Sequence, residues 1–144
     1  MVVGCIIEKD NAIMLCRRGI EPRKGYWNLP CGFLENEETI QQGAKREVYE
    51  ETGATVELQH LHVVYNLPHA NQVYLIFKAK LEAEATWHTT LESTAIDFFP
   101  LDAIPWDEIA FSSNSFAIQH LINQKEKSQE AQLAIGSFFK DKIR

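Results

Sequence analysis

Glutamates are concentrated in one short stretch of the 144-residue chain. Residues 35–51 contain six glutamates but only one lysine and one arginine, so they carry a charge of −4 out of the chain's formal −6. Residues three and four apart lie on the same side of a helix. Glu47, Glu50 and Glu51 would therefore share one side of a helix formed here.

Two of these carboxylates fall on the apolar side of that helix. Glu47 and Glu51 lie within the arc formed by Ile40, Ala44 and Val48. Like charges four residues apart repel each other, and partial burial increases the cost. A glutamate cluster is usually a solvated helix face. Carboxylates inside an apolar arc are better explained by a bound hard cation, and we expect Mg²⁺ or Mn²⁺.

A basic segment precedes the carboxylates. Residues 9–24 contain five basic residues and two acidic ones, which gives a net charge of +3. The basic residues are Lys9, Arg17, Arg18, Arg23 and Lys24. Arginine suits bidentate contacts to phosphate, and carboxylate-held Mg²⁺ commonly acts together with substrate phosphates. Arg17, Arg18 and Arg23 are therefore candidate substrate-binding residues, although each alone could be an ordinary surface charge.

Strands and helices alternate along the chain that positions these groups. Apolar, β-branched runs predict strands at residues 2–7, 12–16, 27–29, 55–65, 73–80 and 95–99. Helices are predicted over residues 39–52, between an Asn36 N-cap and Gly53, and over residues 112–123. This interleaving predicts an α/β fold with a mixed sheet. Residues 124–144 predict an appended helix or a partly disordered extension.

Composition and charge exclude several classes of protein. Apolar residues make up 45% of the chain and charged residues 24%, which is typical of a globular domain and not of a disordered chain. No apolar run approaches the roughly 18 residues that cross a bilayer, so no membrane association is expected. The negative net charge argues against a general nucleic-acid binder. Three cysteines without paired spacing indicate a reducing cytoplasm.

Residues 32–54 also carry a family signature. They read GFLENEETIQQGAKREVYEETGA, which matches the Nudix box G-x5-E-x7-R-E-U-x-E-E-x-G-U, where U is a bulky aliphatic residue. The matching positions are Gly32, Glu38, Arg46, Glu47, Val48, Glu50, Glu51 and Gly53, and Ala54 is small for the last U. The chain therefore resembles the Nudix hydrolases. The runs MLCRRGIEPRKGYWNLP and LDAIPWDEIAFSS look like the branch that hydrolyses ADP-ribose, FAD or related dinucleotides.

The resemblance implies both a fold and a reaction. The implied fold is a Nudix-type α/β/α sandwich around a central mixed sheet, over residues 1–123. The implied reaction is hydrolysis of the pyrophosphate of a nucleoside diphosphate linked to another moiety, with Mg²⁺ or Mn²⁺ as cofactor. Bacterial relatives in this branch commonly have an N-terminal zinc ribbon, which is not among these residues.

The resemblance also assigns roles to individual residues. The implied metal ligands are Glu47, Glu50 and Glu51, with the Gly32 carbonyl, Glu35 and Glu38 as secondary candidates. Arg46 would orient the glutamates. The general base comes from the box in some relatives and from a later loop in others, which leaves Glu47 and Glu92 as alternatives. The aromatic residues that could stack on an adenine or flavin ring are Tyr26, Trp27 and Phe33, although core packing is an equal alternative for Trp27.

The signature leaves the substrate open, because the box contacts only the metal and the pyrophosphate. The alternatives to ADP-ribose or FAD are NADH, an oxidised nucleoside triphosphate and a capped RNA. A non-catalytic nucleotide-binding module is a further alternative. Relatives tend to have a second glutamate shortly after the position of Glu92, where this chain has Ala95. The oligomeric state stays open between a monomer and a homodimer.

Overall fold

The computed structural model describes residues 1–139 as one mixed sheet with a helix on each face. The strands are β1 (Val2–Lys9), β2 (Ala12–Arg18), β3 (Trp27–Asn28), β4 (Cys31–Phe33), β5 (Val56–Leu67), β6 (Gln72–Leu81), β7 (Ser93–Pro100) and β8 (Ala134–Ser137). The helices are α1 (Ile40–Thr52) and α2 (Ser112–Glu126). Within the described residues, neither helix is long and apolar enough to span a membrane.

Strand β1 is the centre of the sheet, which runs in the order β3-β2-β1-β6-β5-β8. It pairs in parallel with β6 and antiparallel with β2 and β4. Strand β5 is antiparallel to β6, and β7 is antiparallel to β2. The predicted mixed sheet is thus confirmed, and the pairing of β4 with β1 places Gly32 beside the centre of the sheet.

The two faces of the sheet form separate apolar cores. On one face, Ala44 and Val48 of α1 pack against Val3, Cys5 and Ile7 of β1. On the other face, Ile6 of β1 packs in a cluster with the apolar side of α2, namely Ala117, Ile118 and Leu121. Complete burial of one such aliphatic side chain contributes about 1.5–3 kcal/mol. The α/β/α sandwich is therefore confirmed, and its packing fixes α1 against β1.

Helix α1 begins three residues later than Asn36 predicts. Thr39 is the N-cap: its hydroxyl accepts a hydrogen bond from the Gln42 N–H at 3.0 Å, and Gln42 Oε1 accepts one from the Thr39 N–H at 2.9 Å. This reciprocal pair satisfies two backbone donors at the start of the helix, the N–H groups of Thr39 and Gln42. A cap at Asn36 lies three residues too early to satisfy them. The predicted C-terminal glycine is confirmed, because Gly53 has a left-handed φ of 76°.

The C-terminal tail differs from its prediction at residues 134–137. Residues 134–137 form β8, which pairs in parallel with β5, in place of a helix or a disordered extension. Ala134 packs into the α2-side core, and a side chain at Gly136 would overlap the Phe116 ring. These long-range contacts override the weak helical pattern. The division of the chain at residue 123 stays a prediction, and residues 140–144 lie outside the described residues.

Candidate metal centre

Helix α1 presents its three acidic residues to a cleft of about 640 Å³. The cleft is bounded by α1, β4, the start of β6 and the loop before β7. Glu51 is only 6% exposed, and the side chains of Glu47 and Glu50 are 12% and 52% exposed. The predicted apolar arc therefore placed Glu47 and Glu51 correctly on the inner side of α1, and Glu50 lies at the edge of the cleft.

Arg46 holds several of these acids together. Its guanidinium donates to both oxygens of Glu38 at 2.7–3.2 Å, to Glu47 Oε1 at 2.7 Å and to Glu50 Oε2 at 3.1 Å. It also donates to the Phe33 carbonyl at 3.0 Å. The pKa of Glu38 is lowered, chiefly by its hydrogen bonds with Arg46. The arginine thus connects Glu47 and Glu50 to the end of β4, and these contacts fit the orienting role that the resemblance implies.

The segment between β4 and α1 supports the same arrangement. The Glu35 N–H donates to Glu38 Oε1 at 2.9 Å, and the Glu35 carboxylate lies 3.5 Å from Arg46 Nε. Glu35 and Glu38 therefore both face the guanidinium. Glu38 uses both of its oxygens on Arg46, so its contacts in the structure are those of a residue that holds the arginine.

Glu51 is buried with an unsatisfied oxygen. One carboxylate oxygen accepts a backbone hydrogen bond from Cys31, but Oε2 has no hydrogen-bond partner. Burial raises the pKa of Glu51 well above its ordinary value, and the charges of Glu47 and Glu92 raise it further. The pKa of Glu47 is also raised, first by burial, although Arg46 opposes the shift. Burial therefore disfavours the charged forms of both carboxylates, although Glu47 is paired with Arg46 at 2.7 Å.

Gly32 makes room for one of these carboxylates. A Cβ built at Gly32 would overlap the carboxylate of Glu47. Gly32 is paired with Val3 in the β1–β4 ladder, so the backbone of β4 cannot move aside easily. The glycine of the signature is therefore explained by close approach of the β4 backbone to Glu47.

The donor set fits a hard divalent cation. Carboxylate oxygens suit Mg²⁺ and Mn²⁺, and a cation in the cleft would neutralise the raised-pKa pair and give Glu51 Oε2 a partner. In residues 1–139 no three Asp, Glu, His or Cys side chains already converge as ligands. Arg46 explains this, because it engages Glu47 Oε1 and Glu50 Oε2. A cation would bind the remaining oxygens or compete with the guanidinium.

Glu92 lines the same cleft from the segment that precedes β7. It is exposed, follows the loop after β6, and lines the cleft together with Glu47 and Glu51. Its charge raises the pKa of both of those residues, so the three carboxylates are close enough to interact. The structure therefore brings the loop acid and the box acids into one site.

The predicted substrate contacts separate into two groups. Arg18 and Phe33 line the cleft, and Phe33 is 62% exposed at its mouth. Arg18 donates from Nε to the Pro22 carbonyl at 2.6 Å, and its guanidinium lies 4.9 Å from the centre of the Phe111 ring. These contacts hold the guanidinium against the wall of the cleft, next to the acids.

The other four predicted contacts do not line this cleft. The Arg17 guanidinium donates to the Gly25 carbonyl at 3.1 Å, and Arg23 lies over the Tyr26 ring at 4.2 Å, so these residues brace their own loop. Trp27 packs edge-on against Phe99 at 4.8 Å and joins the α2-side core, which favours the core-packing alternative.

Sequence reasoning missed several residues of the cleft, and three of them are polar or aromatic. Gln72, Tyr74 and Phe111 line the cleft but lie 18 or more residues after the signature in the sequence. Tyr74 lies in β6, whose apolar run identified it only as a sheet residue. Phe111 lies within LDAIPWDEIAFSS, where the family likeness was the one available signal.

Comparison with known proteins agrees with this fold. Residues 1–117 match the family model described as the NUDIX domain. The chain belongs to the Nudix family. A crystal structure of a Nudix hydrolase from Nitrosomonas europaea superposes with a TM-score of 0.89 at 41% sequence identity. The superposition covers 96% of this chain and 78% of that one, so the Nudix fold extends over nearly all of the chain.

Two curated Nudix relatives match shorter stretches. A MutT-like protein of Streptomyces ambofaciens is 36% identical over 103 residues, which is 72% of this chain and 64% of that protein. An ADP-ribose pyrophosphatase of Methanocaldococcus jannaschii is 44% identical over 68 residues, which is 47% of this chain and 40% of that protein. The chain thus spans less than two-thirds of the length of either relative.

Proposed function

We propose that this chain is a metal-dependent pyrophosphohydrolase whose substrate is a nucleoside diphosphate linked to another moiety, with ADP-ribose or FAD as the first candidates. The products are a nucleoside monophosphate and a phosphorylated remainder. The observation that carries the proposal is the buried, unpartnered Oε2 of Glu51 beside Glu47 in an open cleft. A buried charged oxygen without a partner costs roughly 1–3 kcal/mol or more, and a bound cation removes that cost.

Glu47, Glu50 and Glu51 are the proposed ligands of Mg²⁺ or Mn²⁺. When bound, the cation neutralises phosphate charge and lowers the pKa of a coordinated water. The contacts of two secondary candidates, Glu38 and Gly32, indicate structural roles at the site. Glu38 is engaged by Arg46 through both oxygens, and Gly32 gives Glu47 its space, while the Gly32 carbonyl remains a candidate ligand.

Glu92 is the proposed general base. Glu47, the alternative, is held by Arg46 at 2.7 Å and packs against Gly32, so its carboxylate is fixed on the metal side of the cleft. Glu92 is exposed and lines the same cleft, where its carboxylate can accept a proton from the attacking water. In this division the glutamates of the signature bind the metal, and Glu92 of the loop accepts the proton.

Arg18 is the proposed contact to the pyrophosphate. It lines the cleft with the acids, and the Pro22 carbonyl and the Phe111 ring hold it in place. Phe33, Tyr74 and Phe111 surround the rest of the cleft and offer aromatic surface for a nucleobase. The relative from Methanocaldococcus jannaschii, named an ADP-ribose pyrophosphatase, supports ADP-ribose as the first substrate to test.

A substrate panel with product analysis tests this function. Purified protein would be incubated with Mg²⁺ or Mn²⁺ and with ADP-ribose, FAD, NADH, an oxidised nucleoside triphosphate or a capped RNA. Release of a monophosphate and a phosphorylated remainder from ADP-ribose or FAD supports the proposal. Faster release of free pyrophosphate from the triphosphate favours the alternative substrate. Tight binding of ADP-ribose without turnover of any compound would identify a non-catalytic module.

Matched variants show whether the panel reports on this site. Glu51→Gln and Glu50→Gln should each lower kcat by orders of magnitude and leave the circular dichroism spectrum unchanged. Glu57→Gln removes the same charge from an exposed position on β5 and should keep wild-type activity. Wild-type rates in a Glu50→Gln/Glu51→Gln double variant would show that the site assignment is wrong.

The proposed setting is a reducing cytoplasm, which the three free cysteines support.

A homodimer is the proposed assembly, because strand β8 lies at the end of the sheet and exposes Ile135 at 69%. Phe139, just after β8, is 71% exposed. An edge strand with exposed apolar side chains commonly pairs with another chain.

A further inference from the structure

The segment between β6 and β7 caps the C-terminal end of α1. The last carbonyls of a helix have no partners within it. The His88 N–H donates to the Thr52 carbonyl at 2.8 Å, and Thr90 Oγ1 donates to the Glu51 carbonyl at 3.3 Å. The His88 imidazole also lies against Gly53, where an added Cβ would overlap the ring. The segment is therefore fitted to the end of the helix that carries the acidic residues.

The hydroxyl of Thr90 also closes the turn that contains Glu92. It accepts a hydrogen bond from the Ser93 N–H at 3.0 Å, and the Thr90 N–H donates to the Ser93 carbonyl at 2.9 Å. On its other side the turn is held by the Gly19 N–H, which donates to the Glu92 carbonyl at 2.9 Å. One hydroxyl thus joins the backbone of α1 at Glu51 to the turn that carries Glu92.

We infer that Thr90 is a positioning residue that fixes Glu92 relative to the carboxylates of α1. The inference rests on the proposed function, in which Glu92 accepts a proton from the attacking water. Glu92 is exposed, so neighbouring side chains do little to restrict its rotamers. The place of its backbone therefore sets the reach of its carboxylate. A displacement of about 1 Å at a reacting group can lower a rate by roughly 100-fold.

Two substitutions at Thr90 separate the hydroxyl from the shape of the side chain. Thr90→Val keeps the branched shape but loses both hydrogen bonds of the hydroxyl, whereas Thr90→Ser keeps the hydroxyl. We expect Thr90→Val to lower kcat by about 10- to 100-fold with little change in KM. Thr90→Ser should stay close to the wild type. Equal losses in the two variants would overturn the inference, because the hydroxyl would then not matter.

A double-mutant cycle tests whether Thr90 acts through Glu92. In a Glu92→Gln background the base is already lost, so Thr90→Val should lower kcat little further. Independent, multiplying losses would show that Thr90 acts elsewhere and would overturn the inference. Thr94→Val is the matched control, because the Thr94 hydroxyl contacts the Arg17 carbonyl at 3.4 Å, outside this turn.

Hydrogen exchange in the metal-free protein separates this inference from the proposed function. Thr90→Val should speed exchange of the Ser93 amide, and Thr90→Ser and Thr94→Val should not. If the Ser93 amide of Thr90→Val exchanges at the wild-type rate, Thr90 does not hold the turn, and the inference is overturned whatever the activity. Faster exchange of this amide, together with a wild type that hydrolyses no compound of the panel, supports the role of Thr90 in holding the turn and overturns the proposed function.

Discussion

Replacing Glu51 with glutamine should stabilise the metal-free protein and weaken its binding of Mn²⁺. Glu51 is 6% exposed, and its Oε2 has no partner. Glutamine keeps the size of the side chain and an oxygen for the Cys31 N–H, but it removes the charge. Since leaving a charged oxygen buried and unpaired costs roughly 1–3 kcal/mol or more, we expect the unfolding free energy of the variant to exceed that of the wild type by about 1–3 kcal/mol at pH 8.

The stabilisation of the metal-free protein by Glu51→Gln should depend on pH in a defined direction. The pKa of Glu51 is higher in the folded state than the ordinary value of 4.5, mainly because the residue is buried. Between those two pKa values the folded protein binds more protons than the unfolded chain, so this residue lowers stability as the pH rises. Glu51→Gln lacks this contribution. The difference between variant and wild type should therefore increase as the pH rises above about 4.5.

Urea unfolding followed by tryptophan fluorescence measures both effects. In EDTA, Glu51→Gln should be the more stable protein. With Mn²⁺ at 100 times its Kd, the wild type should gain about 2.7 kcal/mol and the variant much less. Glu57→Gln, at an exposed position, controls for net charge. A variant less stable than the wild type in EDTA, or an equal gain with Mn²⁺ in both proteins, would refute the reasoning.

Three further predictions test other parts of the structure. Gly32→Ala places a methyl group against the Glu47 carboxylate and should lower kcat by about 10- to 100-fold, and wild-type kinetics would contradict the close approach. His62 is fully buried, and burial lowers its pKa to about 4, so the wild type should lose about 3 kcal/mol relative to His62→Gln between pH 6.5 and 4. Urea unfolding at several pH values measures this, and a constant difference would contradict it. Ile135→Lys should convert a dimer to a monomer in light scattering, and a monomeric wild type would contradict the proposed edge contact.

The sequence predicted the acidic face of α1 because that face is a local property of one helix. Spacings of three and four residues brought Glu47, Glu50 and Glu51 to one side, and the apolar arc placed Glu47 and Glu51 inward. The strands were predictable for a similar reason, since the continuous apolar runs of β1 and β6 reflect burial on both faces of the sheet. The family signature added the orienting role of Arg46, and the structure shows contacts that fit this role.

Features set by long-range contacts were not predictable in the same way. The three-residue strand β4 follows Pro30 and contains Gly32, so only its pairing with β1 makes it a strand. Strand β8 likewise depends on β5. Charge alone could not separate Arg18 from Arg17, because the Phe111 ring and the Pro22 carbonyl decide which guanidinium reaches the cleft.

Direct titration with Mn²⁺ is the measurement that tests the central claim most closely. Isothermal titration calorimetry would compare the metal-free wild type with the Glu50→Gln/Glu51→Gln double variant, using Glu57→Gln as the charge control. The claim that the carboxylates of α1 hold the cation predicts binding to the wild type and the control, and an affinity at least about 100-fold weaker in the double variant. Equal affinity of the double variant and the wild type would contradict it.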